Sequence, residues 1–382
     1  MSRTVLRGMT WQHRRALDPL LGTLPGFRAL HPGIDVAWDA RPLAGFEFTP
    51  VAELAERYDL IILDHPFAGD IAASRCLLPL DELADAAADR AFVGPSLESY
   101  RYAGHLWALP VDAATQVAVY RPDLLASIRQ EVPATWDEMF VLAESVRDHG
   151  QFLAIGLKGV HSLMTFFTLC ANQGTPCGVD PDQPFADGDT ARAALSAMRR
   201  LLSHCPLQAL DWNSIALHEA MVVRDDLVYC PAVYCYATYA EADNRRPLLF
   251  ANLPGLDRSS PSGSTIGGTG IGVSARTRHA EAAFAYARYL MDAGVQCAFS
   301  AHHGQPARIE AWQDESLDQR FGSCFGNTLA TMEQAWIRPR YAGYLRFQAA
   351  AGDLIEAHLR GAIGESALLD RLGFLHARGG AE

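Results

Sequence analysis

The chain's most suggestive chemistry stands at the end of a short apolar run. In YDLIILDHPFAGD, residues 58–70, Leu60, Ile61, Ile62 and Leu63 are followed at once by Asp64 and His65. A carboxylate beside an imidazole can act as an acid/base pair. It can equally hydrogen-bond a polyol, because carboxylate oxygens accept from hydroxyls and a neutral imidazole both donates and accepts. Neighbours on an extended chain point opposite ways, so one of the two is expected to face a given ligand, unless both merely cap the loop. Trp11 and His13 hold the matching position after an earlier alternating stretch. An indole there can stack on the apolar face of a sugar ring while its N–H donates, or it can close the core.

Asp112, Thr115 and Gln116, in PVDAATQ, are further candidates for ligand hydrogen bonds. Four tyrosines crowd a later strand and turn: Tyr229, Tyr234, Tyr236 and Tyr239. Tyr234 and Tyr236, at spacing two, are expected to share a strand face. Gly267-Gly268-Thr269-Gly270 lacks the Lys-Ser/Thr of a phosphate-binding loop. It reads as a close-contact loop with Gly268 and Thr269 offered to a ligand. In HHGQPAR, residues 302–308, His302, His303 and Arg308 can bind a carboxylate or phosphate, Arg308 through a bidentate fork, or can form an ordinary surface turn. No Ser-His-Asp order, HExxH pair or zinc-like cysteine spacing stands out, so no catalytic residue, metal or cofactor is assigned.

Positioning these groups requires strands and helices in a particular order. Thr4–Thr10 alternates as a first strand, and residues 17–30 supply a helix that Pro25-Gly26 is expected to break. Ile34–Trp38 is a second strand, residues 53–57 a short helical crossover, and Leu60–Leu63 a strand buried on both faces. Pro66 and Gly69 then make a loop. This β-α-β-α-β order favours a parallel, doubly wound sheet, whose strand ends are where ligands bind. Further on, residues 84–88 read as helical, and Val111–Tyr120 as a crossing between lobes. Thr135-Trp136-Asp137-Glu138 is a capping box that opens a helix. Strands are expected at 153–157, 227–236 and 248–251, and helices at 162–172, 191–202 and 281–291. Residues 254–272, rich in Gly, Ser and Thr, read as a loop, and a mostly helical tail follows from residue 329.

The 382 residues allow two cores, and 32 basic against 44 acidic residues leave a formal charge of -12, which argues against a nucleic-acid partner. No run reaches the roughly 20 apolar residues of a membrane helix. The first residues, MSRTVLRGMTWQH, show neither an apolar signal core nor a lipid-accepting cysteine, so no export address is expected in the chain as written. The eight cysteines read mostly as buried thiols suited to a reducing compartment, although a pair such as Cys170 and Cys177 can form a disulfide.

Several segments, in this order, resemble the extracellular solute-binding proteins of ABC importers, in particular the sugar-binding group that includes maltose-binding proteins. They are FRALHPGIDV, YDLIILDHPFAGDIAASRCLLPLDEL, GHLWALPVDAATQVAVYRPDLL, VPATWDEMFVLAESVR, GGTGIGVSARTRHAEAAFAYARYLMDAGVQ, GQPAR and IRPRYAGY. The resemblance implies an α/β, two-lobed periplasmic-binding fold with hinge crossovers and an interlobe cleft that closes on its ligand. One lobe is expected to comprise residues 1–112 and 273–312, the other 113–272 and 313–382. The implied function is reversible binding of a small polar solute, a carbohydrate or polyol, by a monomer that delivers it to the transmembrane subunits of an ABC permease. The implied location is periplasmic or extracytoplasmic. The missing signal keeps a cytoplasmic enzyme or sensor on the same fold as the alternative, and an organic acid or aromatic compound as the alternative solute.

Overall fold

The computed structural model describes residues 3–42, 49–84, 90–258 and 263–379. Its strands are β1 (Thr4–Trp11), β2 (Ile34–Arg41), β3 (Leu60–Leu63), β4 (Arg101–Tyr102), β5 (His105–Leu106), β6 (Leu109–Tyr120), β7 (Phe152–Leu153), β8 (Leu227–Tyr234), β9 (Leu249–Ala251) and β10 (Ile266–Val273). The chain divides into two units. The first holds Met1–Ala114, Gly267–Leu317 and Arg340–Ala342; the second holds Thr115–Ile266, Asp318–Pro339 and Gly343–Glu382. Strands β6 and β10 each run from one unit into the other.

The sheet of the first unit is ordered β2-β1-β3-β10-β6. β1 lies parallel to β2 and β3, as the alternation with helices requires, whereas β10 runs antiparallel to β3. The expected loop at 254–272 is thus corrected: its last third is an inner strand, and residues 259–262 lie outside the described ones. Glycine in a strand often marks close approach of other groups. That explains β10, where a Cβ on Gly270 would strike the Tyr100 ring at 2.8 Å and one on Gly272 the Leu77 side chain at 2.5 Å. The helix expected over residues 84–88 lies, from residue 85 on, outside the described residues.

Arg14–Leu30 is one uninterrupted helix although it contains Pro19 and Pro25. Each internal proline costs roughly 3 kcal/mol. The helix offsets this by burying Ala16, Leu20, Leu24 and Phe27, at roughly 1.5–3 kcal/mol for each large side chain. Gly26 does not break it. The Tyr289 hydroxyl, donating to the Thr23 carbonyl at 2.8 Å, occupies the space a Cβ at position 26 would need. Nor do Pro66 and Gly69 make a loop. Pro66 sits in a 3-10 turn over His65–Phe67, and Gly69 lies in the helix Ala68–Ser74, where a Cβ would overlap the Arg340 carbonyl.

In the second unit, the sheet pairs β6 antiparallel with both β8 and β9, and β8 parallel with β7. The helix Trp136–Asp148 begins at the expected cap: the Thr135 hydroxyl accepts from Glu138 N at 3.2 Å, while Glu138 accepts from Ala134 N at 2.9 Å. Helix Val160–Asn172 is buried on almost every side, which its continuous apolar composition permits. The strand expected at 153–157 shrinks to two residues because the chain leaves β8 after the Ala154 N to Tyr229 carbonyl bond, and Leu157 N turns to Ala209 O.

Candidate functional site

In the first unit, the carboxyl ends of β1 and β3 bring a polar group together, as an α/β sheet should. β1 ends at Trp11, which is 4% exposed. His13 caps the following helix, its Nδ1 accepting from Arg15 N at 3.1 Å, which assigns the imidazole proton to Nε2. Burial, reinforced by the Arg15 and Arg14 charges, pulls the His13 pKa down to about 4, so the ring is neutral at neutral pH.

Two residues into that helix, Arg15 turns inward. Its Nε donates to Asp112 Oδ2 at 2.7 Å and its Nη2 to Asp112 Oδ1 at 2.5 Å, a bidentate pair with both side chains at most 5% exposed. Burial pushes the Asp112 carboxyl up, and nearby Asp64 adds to that. Arg15 and the Thr269 backbone N–H oppose it. Gly268, at φ 93°, lets β10 pass close to the Asp112 carbonyl, where any side chain would collide.

Asp64 and His65 do not point apart as an extended chain predicts: His65 has already entered the 3-10 turn, and its Nδ1 lies 3.1 Å from Asp64 Oδ1. The Asp64 side chain retains 26% exposure and accepts from His65 N at 2.8 Å, whereas His65 is wholly buried, edge-on to the Tyr100 ring at 6.3 Å. Tyr100 joins the group by donating to the Leu63 carbonyl at 3.2 Å.

Arg308 lies elsewhere in this unit. It grips Glu310 with two hydrogen bonds and lines a cavity of about 540 Å³ with Glu82, Arg90 and Phe92. His303 meets Arg14 at 3.0 Å, and His302 is exposed. The intervening Gln305 is a structural residue, donating to the Ala113 carbonyl at 2.8 Å.

The second unit carries a neutral counterpart. Thr115 Oγ1 lies 2.5 Å from Ser264 Oγ, Ser264 donates to the Gln116 carbonyl, and Thr168 donates to Gln116 Oε1 at 2.5 Å. Thr168 Oγ1 also accepts from Thr265 N at 3.1 Å. The hydrogen-bonding capacity of Thr115 and Gln116 is thus directed inward. Tyr234 is half-buried, its hydroxyl 3.5 Å from the Ile266 carbonyl. The expectation that Tyr236 shares its strand face is corrected. β8 stops at Tyr234, and Tyr236 starts the 3-10 turn Ala237–Ala240, packing 5.7 Å from His218. Tyr229 is fully buried, and Tyr239 donates to Glu219 at 2.6 Å. No cysteine among the described residues is in a disulfide, Cys170 and Cys177 included. Burial and the neighbouring Cys170 raise the Cys177 thiol well above its ordinary pKa.

Residues 51–310, about two thirds of the chain, match the family described as bacterial extracellular solute-binding protein. The chain belongs to this family. Family members are extracellular and hand small molecules to ABC transporters. Among solved structures, an ABC transporter solute-binding protein from Thermotoga lettingae, bound with α-D-tagatose, aligns with a TM-score of 0.84 at 15% identity, over 99% of this chain and 100% of that one. Maltose-bound MalE3 of T. maritima gives 0.83 at 19% identity, over 98% and 99%. A ribitol complex from Agrobacterium radiobacter gives 0.78 at 19% identity, over 99% of each chain. At such identities the likeness establishes the two-lobed periplasmic-binding fold and no more. Among the described residues, no helix of this solute-binding protein is long and apolar enough to cross a membrane.

Sequence reading missed Arg15 and Tyr100. Arg14-Arg15 is one of several basic pairs scattered along the chain. Arg15 nevertheless precedes Pro19 and Thr23 at spacings of four, on the stripe the helix buries. That spacing was the available signal.

Proposed function

We propose that this solute-binding protein reversibly binds a small neutral polar solute, a carbohydrate or polyol, without covalent chemistry, and presents it to an ABC permease outside the cytoplasm. The observation that carries the proposal is the mutual neutralisation of Arg15 and Asp112 at the strand ends of the first unit. A site whose internal charges cancel favours hydroxyl-bearing neutral ligands over ions, and the pair still offers lone pairs and N–H groups to hydroxyls. Tagatose, maltose and ribitol in structurally similar proteins agree with that solute class.

In this reading Trp11, His13, Asp64, Asp112, Gly268 and Thr269 form the ligand face of the first unit. Tyr234 and Tyr236 form a candidate ligand face on the second, and the solute stabilises whichever state offers it more contacts. An acidic solute held by His303 and Arg308 is not favoured, because the Glu310 carboxylate already pairs with Arg308 and offsets its charge.

The test is a thermal-shift screen of the full chain over sugars, polyols, amino acids and organic acids. A saturable rise confined to sugars or polyols, with the solute recovered intact, supports the proposal, since ligand at 100 times Kd stabilises by about 2.7 kcal/mol. Shifts with organic or amino acids alone, or turnover of the solute, would overturn it.

A further inference from the structure

We propose that Cys235 and Cys324 are a disulfide-forming pair that locks the second unit when the chain meets an oxidising environment. Their sulfurs lie 3.2 Å apart although 89 residues separate them in sequence. Disulfide formation brings two sulfurs to about 2.05 Å, so only about 1 Å of further approach is needed.

The surrounding backbone aims the two thiols at each other. Cys235 follows directly on β8, its N–H donating to the Thr115 carbonyl at 3.2 Å, which fixes it against β6. Cys324 opens the helix Cys324–Glu333 after two successive left-handed residues, Gly322 at φ 59° and Ser323 at φ 60°. Non-glycine residues seldom adopt that region, so the reversal is a specified feature of the chain. It delivers the first helical side chain inward.

Both cysteines are at most 3% exposed. A ready-made pair thus lies sealed in the core of a protein whose family is extracellular, where disulfides persist. The step is a thiol–disulfide exchange. One cysteine thiolate attacks an external disulfide and releases one thiol, and the second cysteine then attacks the mixed disulfide and releases the other. Two protein thiols are oxidised by two electrons, and one small-molecule disulfide is reduced to two thiols. Because the pair is buried, exchange proceeds during folding or on local opening. The bond would tie the residue after Tyr234 to the start of the helix. It does not depend on which solute is bound.

The full chain is unfolded with reductant, refolded in a mixture of oxidised and reduced glutathione, alkylated and mapped by mass spectrometry. The expected result is a cross-linked peptide pair containing Cys235 and Cys324. With it comes a melting temperature roughly 5–15 °C above that of the reduced chain, the gain anticipated for closing so long a loop. Cys235→Ser and Cys324→Ser should each abolish both effects, and Cys170→Ser should abolish neither. A map with both residues alkylated, or with Cys170 joined to Cys177 in their place, would overturn the proposal. Should refolding fail, the same map on native chain held with oxidised glutathione in mild urea decides it.

Discussion

The two units solve the same problem, a polar centre beside a sheet, in opposite ways. The first buries full charges, Arg15 against Asp112, with Asp64 and the neutral His13 alongside. The second buries hydroxyls and one amide, Thr115, Gln116, Thr168, Ser264 and Thr265, each satisfying another. A hydroxyl network is assembled from groups that both donate and accept, so no member is costly while all are present. A buried ion pair, by contrast, is held by two desolvated charges whose mutual attraction merely offsets their transfer from water. The first centre should therefore be the more fragile to loss of one partner.

The largest expected effect tests that contrast directly. Asp112→Ala leaves the Arg15 guanidinium buried and unopposed, and should lower unfolding free energy by roughly 3–5 kcal/mol in urea titrations. Replacing both residues by Met and Leu should recover most of the loss. If Asp112→Ala costs less than about 1 kcal/mol, the two centres do not differ as described.

Next in size is an effect that should blur the contrast. His161, in the second unit, is pulled down to about 4 by burial and by the Arg338 charge, as His13 is in the first by burial and the Arg15 and Arg14 charges. A folded pKa below the unfolded 6.5 means that the unfolded chain binds more protons between the two values. Stability is therefore complete above about pH 6.5 and falls as pH drops toward 4, by roughly 3 kcal/mol for fully buried His161 and less for His13. His161→Gln and His13→Gln should each flatten the pH dependence of the urea midpoint over that range. An unchanged slope in both would remove these residues from the account.

The smallest effect sharpens the description of the second centre. Thr168→Val removes the donor to Gln116 Oε1 and the acceptor for Thr265 N, and should cost roughly 1–3 kcal/mol. Two independent centres predict additivity with Asp112→Ala. Measured coupling above about 0.5 kcal/mol would show the centres to be linked.

Much of the fold was legible because it rests on local signals: alternation in β1, the Leu60–Leu63 run, the Thr135 cap and the glycine-closed helix Val160–Asn172. What escaped depends on distant partners. Pro25-Gly26 reads as a break until Tyr289 is seen filling the space beside Gly26. The glycines of β10 read as a loop because their strand role depends on Tyr100 and Leu77 pressing against them. For the candidate site, the positions Asp64, Asp112 and Thr269 were singled out from residue type and placement. Their environment was not, since a sequence alone does not disclose that Arg15 reaches Asp112 across 97 residues. Tyr236 was misplaced for a simpler reason: period-two reasoning holds only while the strand continues.

The position of β10 bears on how the molecule is made. β3 pairs with β10 along one edge, and β10 begins 203 residues after β3 ends, 266 less 63. At roughly 5–20 residues per second, a growing chain waits about 10–40 s between completing β3 and supplying β10. During that interval β3 is an apolar strand with an open edge. A chain stopped at residue 265 should accordingly show its first 114 residues open to protease, and native-like protection there would contradict this. Synthesis thus passes through a window in which the first unit stays unfinished and able to be held by a chaperone, and the arrival of a glycine-rich strand closes it.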